Sequence, residues 1–435
     1  MNTAIYQQRR DALLAQMPAN SVALIPSAQE LTRSRDTEFP FRQDSDLNYL
    51  TGFPEPESLL ILSKAEHGES RHLLLCRAKD LLAEVWQGRR FGPDAAKSQF
   101  GLDTACIDQL DTVLLDALNK KQTLVYAEGT YAAFDAKVAE TLKTLRLYPK
   151  RGYQAPTVQQ DLRPLIAELR LFKDAAEQEL MRKAGYISAL GHRRAMQAAK
   201  AGVFEYQLEA HIVHEFAMHG ARKVGYNTIV GGGENGCILH YTDNNDALRD
   251  GDLVLIDAGA EYQGYTGDIT RTFPVNGKFS AAQAALYQVV LNAQYAACAA
   301  VKPGNSMNDA VAAAQRELTK GLLALGILQG ELEQLIQDNA CKQYFIHGLG
   351  HWLGLDVHDV GAYQKDGSAR PFEPGMVLTI EPGLYIPTGS ACDAKWWGLA
   401  VRIEDNLLVT RDGHDNLTEA VPKEIAQIEA LMAAQ

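Results

Sequence analysis

The sequence predicts two domains, an α/β domain followed by an α+β domain of pseudo-twofold symmetry, on three observations. The first 150 residues alternate helical stretches with short β-rich runs. Beyond a Pro- and Gly-punctuated connection, long amphipathic helices lead into further β-rich stretches. In that second part, "GDLVLIDAG" at 251–259 and "GMVLTIEPG" at 375–383 share Gly, a β-run, Ile, an acid and Gly at the same offsets.

Taken in order, "QQRRDALLAQM" predicts a helix, and "VALIP", "SLLILS", "HLLLC" and "TLVYAE" predict strands. This half holds no cluster of potential ligands. The connection ends in "DLRPLIAELRLFKDAAEQELMRK", where Asp174 is placed to cap a long helix. The domain boundary is expected near residue 165, giving domains 1–165 and 166–435. Another helical block is expected from about 280 to 340. The echo pairs Asp257 with Glu381, and each copy is followed by a second β-run with its own acid, Asp268 in "GDITRTF" and Glu404 in "VRIEDNLLVT". Two related hairpins then bring four carboxylates together at their join.

A net charge of −12 without any long acidic or basic block argues against nucleic acid or an anionic membrane as partner. No apolar stretch reaches the length of a membrane span, and "MNTAIYQQRRDALLAQM" lacks the apolar core of a signal peptide, so a cytoplasmic protein is expected. Six cysteines without C-x-x-C spacing suit reduced, inert thiols.

Three tempting motifs carry no chemistry. "GGGENG" at 231–236 satisfies G-x-G-x-x-G, but the following "CILHYT" reads as β-like, so no helix N-terminus is offered to a pyrophosphate. In "HIVHEFAMHG", His214 and His219 are five residues apart and do not share a helix face, so no zinc pair forms. No Ser or Cys stands in a nucleophile elbow.

What remains is Asp257, Asp268, Glu381 and Glu404, joined by a histidine from "FIHGLGHWLGLDVHDVG", which offers His347, His351 and His358. Carboxylates brought together repel and must be protonated, paired or metal-bound. Four carboxylates and an imidazole form a hard ligand set suited to Mn²⁺, and their four negative charges imply two divalent metal ions.

These residues resemble the pita-bread metallopeptidases, the family of methionine aminopeptidase, prolidase and Xaa-Pro aminopeptidase. The resemblance rests on "ILHY", "LIDAGAEYQGYTGDITRTFPV", "HGLGHWLGLDVHDVG", "TIEPGLY" and "VRIEDNLLVT", and extends to "TEFPFRQDSDLNYLTGFPEPESLLIL" in the N-terminal half. It implies a pita-bread catalytic domain and His351 as the fifth ligand, with Glu381 bridging two metals and carrying a proton. It implies attack by a metal-bridged hydroxide on peptides with N-terminal Xaa-Pro. His240 and His358 would contact the substrate carbonyl and oxyanion, and His347, Tyr363 and Arg402 the proline ring. Trp86 in "EVWQGRR" resembles a tryptophan that reaches a neighbour's active site, implying a homo-oligomer, a dimer or tetramer. An Xaa-Pro dipeptidase is the alternative activity, and a peptide-binding module without metals the alternative of another class.

Overall fold

The structure, a computed structural model, describes residues 2–67 and 70–434. Its contacts divide between two compact units, Met1–Arg170 and Leu171–Gln435. In the first unit the β-rich runs form a six-stranded mixed sheet in the order Asp103–Cys106, Arg71–Cys76, Leu59–Lys64, Ser21–Pro26, Thr123–Tyr126 and Val158–Gln160. Both faces of the central strands are covered, so they read as continuous apolar runs instead of alternating. Val22 and Leu24 join Leu59, Ile61, Leu75, Leu114 and Leu118 in one cluster, while Ala23 and Ile25 are buried as well.

The second unit opens with helix Ala175–Ala198. The Asp174 carboxylate accepts from the N–H groups of Ala176 and Glu177, and the Glu177 carboxylate accepts from the N–H of Asp174, a reciprocal cap. Helix Glu205–Met218 follows, and Ala281–Ala300, Met307–Ala324 and Leu332–Gln337 form the later helical block. His214 and His219 are exposed, and His219 donates from Nδ1 to the Glu215 carbonyl. "CILHYT" is not β-like: Gly233–Cys237 winds into a 3₁₀ turn, and residues 238–243 run on without a strand. Among the described residues no helix is long and apolar enough to cross a membrane.

The echo survives as topology. Leu253–Asp257 pairs antiparallel with Thr270–Pro274, and Val377–Ile380 pairs antiparallel with Asp405–Val409. Each pair encloses a smaller one, Ala260–Tyr262 with Tyr265–Thr266, and Gly383–Ile386 with Leu399–Arg402. The leading glycines, Gly251 and Gly375, turn into their strands at φ +87° and +96°, a region open to glycine but strained for other residues. Gly259 is fixed by close approach, because a Cβ there would lie 1.7 Å from the Gly267 carbonyl oxygen.

The register corrects one detail of the repeat. Ile256 pairs with Arg271 and Ile380 with Asp405, so Glu404 matches Thr270, and Asp268 matches Arg402. The second acids of the two copies therefore stand two residues apart, on the same face of the pleat. Equivalent positions also meet each other. The Thr270 hydroxyl donates to the Glu404 carboxylate at 2.7 Å, and Arg271 pairs with Asp405 at 2.7 Å, so the pseudo-twofold axis passes between them.

That ion pair has no solvent contact, and Asp405 also accepts from Thr418, Gln294 and Lys423. Asp405→Ala leaves the buried Arg271 guanidinium uncompensated. The expected loss is about 3–5 kcal/mol of stability in the second unit. It is read as a lowered urea midpoint in tryptophan fluorescence; an unchanged midpoint contradicts the assignment.

Candidate metal centre

Each acid stands at a strand end. Asp257 closes its strand, Asp268 lies two residues before Thr270–Pro274, Glu381 follows Val377–Ile380 directly, and Glu404 immediately precedes Asp405–Val409. His351 is held against the edge of the third of these strands. Its N–H donates to the Thr379 hydroxyl at 3.0 Å, its carbonyl accepts from the Thr379 N–H at 2.9 Å, and neighbouring Trp352 bridges to Leu378. Gly350 makes this approach possible, since a Cβ would lie 2.0 Å from the Thr379 oxygen.

Together the five line one cavity of about 590 Å³, with His240, His347, His358, Tyr226 and Arg402 also in its wall. Ligand atoms of Asp268, His351 and Glu404 all lie within 4.8 Å of one another. His351 Nε2 is 3.4 Å from Asp268 and 3.6 Å from Glu381. Asp257 accepts from the Arg402 guanidinium at 2.7 Å and from the Tyr226 hydroxyl at 2.6 Å, and the same hydroxyl bonds Asp268.

Electrostatics show how much negative charge the cavity concentrates. Burial, then the charges of Asp268, Glu381 and Asp257, raise Glu404 well above the usual carboxylate range. Burial likewise raises Glu381 to about 7, with Asp268 and Asp257 adding to it against His351 and Arg402. Asp268 is raised by burial and by Asp257, although His351 and Tyr226 oppose this. Burial would lower the His351 imidazole, but its hydrogen bond and attraction to Asp268, with Glu381, raise it to about 9. The site thus draws in protons where it lacks positive charge, as a cation-binding cage does.

The donor set fits divalent ions in a second respect. His351 Nδ1 donates to the Trp352 carbonyl at 3.0 Å, which leaves Nε2, facing the acids, as the nitrogen that can take a cation in place of its proton. The oxygen-rich remainder is hard.

Of the other expected residues, His240 and His358 are exposed in the wall, His358 with its ring 4.3 Å from that of His351. Burial and the neighbouring His351 charge lower its pKa. His347 lines the wall too, bonded through Nε2 to the Tyr385 hydroxyl at 2.8 Å, and burial with the Arg402 charge lowers it to about 4. Arg402 is buried and donates to Thr270, Tyr385 and Asp257. Tyr363 does not line the cavity: it stacks on Trp352 and accepts the Trp352 N–H at 3.0 Å. Trp86, in the first unit, stands 88% exposed on helix Leu81–Gln87.

Sequence reasoning missed Tyr226, Thr270 and Tyr385. Nothing in "GYNTIV" marks Tyr226. Thr270 had a signal: aligning "DITR" with "RIED" on Ile269 and Ile403 sets it opposite Glu404.

A cage of four carboxylates and an imidazole, open to a substrate-sized cavity at the axis of a duplicated fold, defines the class of metal-dependent hydrolases. Residues 179–411 match the model for metallopeptidase family M24, and residues 6–126 match the aminopeptidase P N-terminal domain. The chain is 49% identical to Xaa-Pro aminopeptidase of Escherichia coli, over 99% of this chain and 97% of that protein. It is 47% identical to Xaa-Pro aminopeptidase of Haemophilus influenzae, over 98% and 96%. Among solved structures, proline aminopeptidase P II from Yersinia pestis superposes with a TM-score of 0.98 at 50% identity, covering 100% of both chains. Zinc-substituted E. coli aminopeptidase P in complex with product gives 0.98 at 48%, covering 100% and 99%. The chain belongs to metallopeptidase family M24.

Proposed function

We propose that this chain is a metal-dependent aminopeptidase that removes the N-terminal residue from peptides with proline in second position. The observation that carries the reading is the carboxylate–imidazole cavity, set in a chain whose full-length relatives are Xaa-Pro aminopeptidases. Asp257, Asp268, His351, Glu381 and Glu404 would hold two divalent ions, and their oxygen-rich set suits Mn²⁺. Such ions, when bound, supply Lewis-acid polarisation of the scissile carbonyl and hydroxide near neutral pH.

The chain's own residues do the rest. Glu381 takes the proton of the attacking water and passes it to the leaving nitrogen. His240 and His358 donate hydrogen bonds to the substrate carbonyl and to the oxyanion that replaces it. His347 and Arg402 present the wall for the proline ring, and Tyr363, expected beside them, stacks on Trp352. Such a pocket is needed because the Xaa-Pro bond lacks an N–H and its ring fixes φ. Residues 166–435 act as the catalytic domain and 1–165 as the N-terminal one.

Arg402 also bears on substrate length. A dipeptidase must satisfy the free proline carboxylate with a cation, whereas an aminopeptidase must leave a path for the continuing chain. The Arg402 guanidinium is already paired with Asp257 at 2.7 Å, which favours the aminopeptidase. Helix Leu81–Gln87 exposes Leu81, Leu82, Val85 and Trp86, an apolar face that suits a homo-oligomer, a dimer or tetramer, in the cytoplasm.

The test is mass spectrometry of products from Ala-Pro and Ala-Pro-Ala-Ala at equal concentration with Mn²⁺. Free alanine is expected from the tetrapeptide, with the dipeptide cleaved much more slowly. Rapid cleavage of the dipeptide alone would make the chain a prolidase.

A further inference from the structure

The glycines of "GGGENG" take no part in the reading above, yet they and the loop after them, which carries His240, are built around one buried acid. Glu205, in the first turn of helix Glu205–Met218, has no solvent exposure. Its Oε1 accepts from the Gly232 N–H at 2.8 Å and from the Asn235 amide at 3.1 Å. Its Oε2 accepts from the Tyr241 hydroxyl and the Asp246 N–H, both at 2.9 Å. Two of these four donors precede His240 and two follow it.

The rest of the loop is tied to the same helix start. The Glu205 N–H donates to the Asp246 carbonyl at 2.9 Å, and Phe204 bridges to Ala247. One helical turn on, the Glu209 carboxylate accepts from the Asn244 amide at 2.8 Å. Gly232 has to be small, because a Cβ there would lie 2.7 Å from the Leu248 side chain and 3.4 Å from Glu205 Oε1. His240 itself, exposed in the cavity wall, makes no side-chain hydrogen bond among the described residues. Its placement is therefore set by the backbone on either side, and that backbone is fastened to Glu205.

We propose that Glu205 is a positioning residue for His240, a carboxylate clamp on both flanks of the loop that keeps the imidazole in the cavity wall. The inference rests on the reading of His240 as a substrate-contacting group. A carboxylate suits the task, since four donors converge on its two oxygens. Glutamine at this position keeps the volume but replaces one oxygen with an N–H₂ group, which meets donors instead of acceptors and releases one flank.

The experiment is a double-mutant cycle of Glu205→Gln with His240→Ala, measured as steady-state kinetics on Ala-Pro-Ala-Ala with bound metal determined in parallel. Glu205→Gln alone is expected to lower kcat about tenfold or more, because displacing a positioned group by about 1 Å can cost up to 10²-fold. KM and bound metal should stay close to the parent values. In the His240→Ala background the same substitution should cost nothing further, since the group it positions is gone. Tyr241→Phe, which removes one of the four donors and leaves the carboxylate in place, should show the same dependence on His240 at smaller amplitude; it serves if Glu205→Gln fails to fold. Equal losses in both backgrounds, with His240→Ala itself impaired, overturn the clamp alone. Full turnover in the His240→Ala single variant overturns the role of His240.

Discussion

Alanine in place of Glu404 should abolish release of alanine from Ala-Pro-Ala-Ala and reduce bound metal, while the second unit stays folded. The same outcome is expected for Asp257, Asp268, His351 and Glu381. Glu404 shows why stability should survive the loss. Its carboxyl is buried beside three other acids and is driven toward its protonated form by burial and by their charges. Removing it relieves repulsion in the metal-free protein, at the cost of one hydrogen bond from Thr270, worth about 1 kcal/mol. Elemental analysis after gel filtration separates the two effects. A Glu404→Ala protein with its full metal content contradicts the ligand assignment, and a Glu381→Ala protein with near-parental turnover contradicts that group as proton carrier.

The second large effect concerns His240 and His358, proposed above to contact substrate and not metal. His358→Ala and His240→Ala are each expected to lower kcat by about 10²-fold or more, the scale of a lost oxyanion donor, with metal content intact. The geometry separates His358 from His351. His351 Nε2 faces Asp268 and Glu381 at 3.4 and 3.6 Å, whereas His358 meets it only through its ring, 4.3 Å between centroids. Stoichiometric metal loss in either variant would reassign that histidine as a ligand.

How much of this was legible in the sequence depends on the distance over which each interaction acts. The strands of the first unit were readable because burial on both faces writes apolar runs into the chain, as in "VALIP". The duplicated acids were readable because one local pattern recurs, with Gly251 and Gly375 marking the same turn. The register of the second β-runs was not, because strand pairing is a property of two segments. The sequence offers each second run one acid, Asp268 and Glu404, and the ladder settles that Thr270, as the Ile269–Ile403 alignment also has it, stands opposite Glu404. Tyr226 was invisible for the same reason: its hydroxyl joins Asp257 and Asp268, 31 and 42 residues away. "CILHYT" was misread as β-like because the 3₁₀ turn before it is held by Glu205, at the start of a helix some thirty residues upstream.

The cage, loaded with divalent ions, is expected to remove the residue before proline, and a metal titration tests this. The protein is stripped with a chelator and dialysed, Mn²⁺ is added back in fractions of an equivalent, and free alanine from Ala-Pro-Ala-Ala is followed by mass spectrometry. No release is expected from the stripped protein, with activity rising on addition of Mn²⁺ and levelling at two ions per chain. Undiminished release of alanine by the stripped protein would mean that turnover needs no divalent ion in the cage.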